Sequence, residues 1–134
     1  MAFTVWDGPK GHDFFEMVLR AIGTHGNMQV DLPPAPPIFR FADRGESARV
    51  LAAIGLVDNQ VSVLPLQWRA PSAGAVLDAI YKSTVRTAML LEHQAPEARE
   101  RIHQAILADA AKHAQGDAFI IGWPAVLVSA RKPD

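Results

Sequence analysis

A chain of 134 residues, 49% of them hydrophobic, is long enough to bury one substantial core, and a single domain over 1–134 is the expectation. Thirteen Lys and Arg stand against fourteen Asp and Glu with no long block of like charge, which argues against nucleic acid or an anionic membrane as partner. The absence of cysteine excludes disulfide and thiolate chemistry; with no apolar run long enough to span a membrane and no leader-like start at Met1–Gly8, the expected location is the cytoplasm.

Ala2–Trp6 is β-prone and runs at once into the turn-forming Asp7-Gly8-Pro9, so a strand opens the chain. Phe14, Val18 and Ile22, with Phe15 and Leu19 beside them, recur at helical spacing and predict an amphipathic helix ending near Gly26-Asn27. Pro33, Pro34, Pro36 and Pro37 fix φ and remove backbone donors, which makes Leu32–Pro37 a stiff extended connection or, alternatively, a proline-rich docking motif. Asp43 and Glu46 have capping-box spacing; the helix they start should bury Val50, Leu51 and Ile54 and end at a left-handed Gly55. Within Val57–Arg69, Val61 and Val63 alternate with polar neighbours, and Pro65 marks the stretch as an edge strand. Ser72 can cap a helix carrying Val76, Leu77 and Ile80, and a second helix carries Val85, Met89 and Leu90. A longer helix runs from Pro96 to Gln115, with Gly116 after it and Ile102, Ala105, Ile106 and Ala110 along one face. Ala125–Ala130 is apolar at nearly every position, as in a central strand covered on both faces.

This order of elements carries four phrases at matching separations. They are Phe3-Thr4-Val5-Trp6-Asp7, the proline-rich run from Leu32 to Asp43, the helix end Ala53-Ile54-Gly55-Leu56, and Trp123-Pro124-Ala125 through Lys132-Pro133. Together, over essentially the whole chain, they resemble the class I S-adenosylmethionine-dependent methyltransferases of the ubiquinone-biosynthesis-like, type 11 group. The resemblance implies an α/β fold with about three strands of a mixed, partial doubly wound, Rossmann-like sheet and a helical insert before the last strand. Ala2–Trp6 would be the family's fifth strand, Val57–Trp68 the sixth, and Ala125–Ala130 the seventh, antiparallel between the other two. The chain would then be the C-terminal, acceptor-binding portion of such an enzyme, acting on a small molecule and inactive alone.

The family's glycine-rich donor-binding half has no counterpart here. No Gly-x-Gly occurs, so no cofactor is expected on this chain alone, although S-adenosylmethionine is implied for the family. Met1 would stand at the entry to the fifth strand, which leaves a fragment, a late translational start and a free-standing descendant all open. Without a fourth strand one edge of residues 2–6 would lie uncovered, so a homodimer or larger assembly through that edge is expected. A non-enzymatic small-molecule-binding or oligomerisation module derived from the same fold is the alternative.

Trp6 ends the first strand, Trp68 ends the second and Trp123 precedes the third, which would set all three at the sheet end where open α/β sheets bind ligands. They form either an aromatic wall for a small apolar acceptor or a plug of the core. Asp7 and His12 are the candidates for steering or deprotonating that acceptor; the competing reading is a turn Asp and a solvated His at a helix start. Tyr81, Arg86 and His93 lie on the helical insert, where the family varies its acceptor pocket, and Tyr81 joins the tryptophans as a substrate-binding candidate; a solvated face is the other reading. His93, His103 and His113 follow at intervals of ten rather than the i, i+4 spacing of a helical zinc site, so no metal is expected. Glu97 and Arg101 have the spacing of a helical ion pair.

Overall fold

The computed structural model describes residues 1–133. In chain order it contains β1 (Ala2–Trp6), α1 (Asp13–His25), a 3₁₀ turn (Arg40–Ala42), α2 (Arg44–Ala53), β2 (Val57–Leu64), β3 (Gln67–Ala70) and α3 (Ala73–Ser83). There follow α4 (Arg86–Glu92), α5 (Pro96–Ala111), β4 (Ala114–Gln115), β5 (Ala118–Gly122) and β6 (Ala125–Arg131).

The mixed, doubly wound, Rossmann-like sheet is not what forms. The strands make two small three-stranded sheets, β1-β6-β2 and β3-β5-β4, antiparallel throughout. Pro65 is one physical reason: it interrupts the Val57–Arg69 stretch, so β2 and β3 are separate strands in separate sheets. The other reason is β5, a strand that the sequence reading did not contain. Gly116, expected to stop a helix, has φ +62° and opens the two-residue turn between β4 and β5, as a type II′ hairpin requires. The preceding helix therefore ends at Ala111 rather than Gln115.

Contacts gather into two compact units, each built from several segments of chain. The first comprises Met1–His12, Ala35–Gln67 and the segment from Gly122 on. Here β6 is central and pairs antiparallel with both neighbours, Thr4 and Ser62 each lying across from Leu127. Val126, Val128 and Ala130 point to one face, where Leu51 of α2 seals them and Phe3, Val5 and Val61 flank them. Only that face is fully closed; Leu127 and Ser129 on the other are half-buried, so β6 is central without being covered equally on both sides. Asp43 caps α2 as expected, its Oδ1 accepting from the Glu46 N–H at 2.7 Å. Gly55, at φ +81°, closes the helix with hydrogen bonds from Gly55 N–H to the Ala52 carbonyl and from Leu56 N–H to the Leu51 carbonyl. Ile54, expected in the core, is instead 64% exposed because it sits on the cap itself.

The second unit, Asp13–Pro34 with Trp68–Ile121, is mainly helical. α1 and α3 both pack against α5, and Phe14, Met17, Ile22, Ile80, Ile102 and Ile106 are almost wholly buried. The periodicities of α1, α3 and α5 thus mark their buried stripes. Ser72 caps α3 by accepting from Ala75 N–H at 3.1 Å. Val85 is 80% exposed at the N-cap of α4 rather than on its apolar face. α1 ends at a polar clamp: Gln94 Oε1 accepts from Asn27 N–H at 2.7 Å, and Gln94 Nε2 donates to the Asn27 and Leu90 carbonyls. Gly26 fits this clamp because a Cβ there would lie 2.4 Å from Gln94 Oε1. Glu97 and Arg101 form no ion pair among the described residues. No helix of the described residues is long and apolar enough to cross a membrane.

Candidate functional site

The end of β1 and the start of β6 bring three of the candidate residues together. Pairing continues one residue past β1, where Asp7 N–H donates to the Pro124 carbonyl at 3.1 Å. This holds Trp6 beside Trp123, whose own N–H donates to the Leu66 carbonyl at 2.8 Å. The indole rings meet edge to face, with centroids 5.6 Å apart at 68°.

His12 completes the group. Its backbone is turned in by a hydrogen bond to the Pro9 carbonyl, next to Gly11 at φ +86°. The imidazole centroid lies 6.1 Å from Trp6 and 5.7 Å from Trp123. His12 is fully buried, so the solvated helix-start reading does not hold. Trp6 keeps 43% of its surface exposed, which leaves part of an indole available to solvent beside a buried imidazole. Asp7 serves the turn, its Oδ1 accepting from Gly8 N–H at 2.8 Å.

Trp68 does not extend this group into a row at one sheet end, because it lies on β3 in the other sheet, half-buried. The residues of the helical insert separate as well. Arg86 donates to the Pro33 carbonyl at 2.7 Å, and His93 Nδ1 contacts the Met89 carbonyl of its own helix at 2.8 Å. Those side chains hold backbone.

Tyr81 has a partner that the sequence reading did not give it. Its hydroxyl lies 2.7 Å from His103 Nε2, with the rings edge to face at 5.7 Å. Burial pushes the Tyr81 phenol up and the His103 imidazole down from their ordinary values, with Arg99 opposing the first shift and Glu100 the second. Both groups are therefore neutral near pH 7, and Tyr81 can donate to an unprotonated Nε2. One signal was present in the sequence: Tyr81 and His103 each follow directly on an isoleucine, Ile80 and Ile102, that is wholly buried.

Charged side chains elsewhere form tight local groups. Hydrogen bonds from Arg49 and Arg40 hold the Glu46 carboxyl at about 2. Asp109 is pulled up by burial, but hydrogen bonds from Lys112 and Arg20 outweigh that and leave it below the ordinary carboxylate value. Among the described residues no group of three or more His, Asp or Glu side chains is placed to hold a metal ion. Compared with known proteins, the chain matches no family model and no curated protein sequence.

Proposed function

We propose that this chain is the acceptor-binding portion of an S-adenosylmethionine-dependent methyltransferase, and that the exposed Trp6 indole, backed by Trp123 and the buried His12, holds a small molecule with an apolar ring. The carrying observation is the half-exposed Trp6 indole set edge to face against both Trp123 and the buried His12. The order β1-β6-β2, with β6 antiparallel in the centre, adds support. A doubly wound sheet forms no part of the proposal.

The described residues do not fit the methyl donor. β1 leads into α1 through Asp7–His12, where the Asp7 carboxylate is engaged by Gly8, and β3 leads into α3 through Pro71 and Ser72, where Ser72 caps its own helix. Neither junction carries the Gly-x-Gly turn by which such a donor is closely approached: Gly8 and Gly11 in the first are separated by Pro9 and Lys10, and the second has no glycine before its helix. What these residues contribute is orientation of the acceptor and exclusion of water around it.

Titration of the tryptophan fluorescence with 2-naphthol tests the site. The unsubstituted chain should bind it, and Trp6→Ala, with unchanged circular dichroism, should bind about tenfold more weakly, as expected for loss of one aromatic contact. Equal affinity in the two proteins would overturn the proposal. Calorimetry with S-adenosylhomocysteine should show no heat of binding. The alternative, a non-enzymatic binding or oligomerisation module, is favoured by one observation, the uncovered edge of β1.

A further inference from the structure

The two edges of the β1-β6-β2 sheet are built differently. On the β2 side, Asp58 and Asn59 bulge opposite Ala130, where the register shifts between Val57 and Gln60. Asp58 is at φ 55°, the left-handed region, and its carboxylate pairs with Arg131; Pro65 follows the strand. A bulge, a charge and a proline are three devices that stop a sheet edge from recruiting another strand. β1 has none of them: Ala-Phe-Thr-Val-Trp is uncharged, lacks proline, and keeps an unbroken register with β6.

The hydrogen-bond pattern shows which groups of β1 are available. Met1 and Ala130 exchange two bonds, of 2.7 and 2.9 Å, and Asp7 bonds to Pro124, so the odd-numbered residues of β1 face β6. The backbone N–H and C=O of Ala2, Thr4 and Trp6 consequently point outward, and all three residues are exposed. None of these groups has a protein partner among the described residues.

We infer that a second copy of this chain pairs antiparallel with β1 across this edge, the two-fold axis passing through Thr4. In that register Thr4 faces Thr4 of the second copy and Ala2 faces Trp6 of the second copy, a large side chain beside a small one. Each of these is a pair that exchanges two hydrogen bonds, so all the outward groups are satisfied at once. On the opposite face Phe3 lies across from Val5 of the second copy, an aromatic and β-branched pair of the kind that stabilises sheets. No like charges face one another, and the contact is isologous, so it closes at two copies. The product is a continuous six-stranded sheet, β2-β6-β1-β1-β6-β2, with a guarded β2 at either end.

Size-exclusion chromatography with light scattering on the full chain should give twice the 14.6 kDa chain mass. Thr4→Pro removes the central outward N–H without touching a bond to β6, so it should halve the mass while leaving circular dichroism unchanged. Because the chain has no cysteine, Thr4→Cys introduces a single thiol. Paired positions of this type lie about 5.5 Å apart at Cα, within disulfide range, and mild oxidation should lock Thr4→Cys as a covalent dimer, whereas Ser62→Cys on β2 should stay uncrosslinked. A monomeric mass for the unsubstituted chain, or equal cross-linking of the two cysteine variants, would overturn the inference.

Discussion

The two compact units reach their folded state with different kinds of core. In the first, the buried cluster is Leu51, Val126, Val128 and Ala130, small and medium side chains under one face of a sheet, while Trp6 is left partly outside. In the second, Phe14, Met17, Ile22, Leu91, Ile102 and Ile106 are almost wholly buried between helices. Each fully buried side chain of that size contributes about 1.5–3 kcal/mol, so the helical unit carries most of the apolar stabilisation. The sheet unit keeps its largest rings at the margin, where a ligand or a second copy can use them.

Five substitutions or titrations would break or sharpen this contrast. Phe14→Ala should have the largest effect, about 3–5 kcal/mol of stability lost in chemical denaturation. Val128→Ala, at the centre of the sheet unit, should cost about 2 kcal/mol, since fewer methyl groups leave a smaller cavity. If the order of these two were reversed, the sheet and not the helices would be the stabilising core. Gly26→Ala forces Gln94 away from Asn27 and should cost about 1 kcal/mol, the worth of a hydrogen bond, with amide exchange raised at Asn27.

The smallest effects are those of pH, and they separate the units. His103 in the helical unit is depressed, chiefly by burial, so its unfolded form binds protons more readily. Its contribution is complete above the ordinary histidine value of 6.5 and is lost as pH falls through 6.5 toward the depressed folded value. Glu46 in the sheet unit is held at about 2 by its two arginines; its contribution is complete above 4.5 and is lost as pH falls toward 2. Glu46 is on the surface and its effect is screened by salt. Acidification followed by NMR should therefore perturb the surroundings of His103 before those of Glu46. In Tyr81→Phe, His103 should still titrate below 6.5, because burial rather than the phenol is the leading cause of its shift.

Local chemistry was the legible part of the sequence. Helical spacing and caps located α1, α2 and α3, because Asp43, Ser72 and Gly55 act within a few residues of where they stand. The uniform apolar run of β6 marked it as the central strand of its sheet. Sheet membership was not legible: whether Gln67–Ala70 continues β2 or joins β5 is decided by a partner far along the chain, and Ala118–Gly122 was hidden behind a glycine read as a helix stop. The candidate site divided in the same way. Trp6 and Trp123 were brought together by the pairing of β1 with β6, Trp68 was carried into the other sheet by the break at Pro65, and the Tyr81–His103 contact depends on how two helices lie against each other.

The central position of β6 also sets a schedule for biosynthesis. β1 and β2 leave the ribosome well before the strand that joins them, and neither is hydrogen-bonded to the other in the finished sheet. The segments of the helical unit all precede β6 and can collapse while β1 and β2 are still unpaired. During that interval the apolar residues of β1 and β2 are open to solvent, and β6 ends it by pairing with both. A nascent chain arrested before Ala125 should therefore be bound by chaperones that recognise extended apolar segments, and the full chain, once released, should not be.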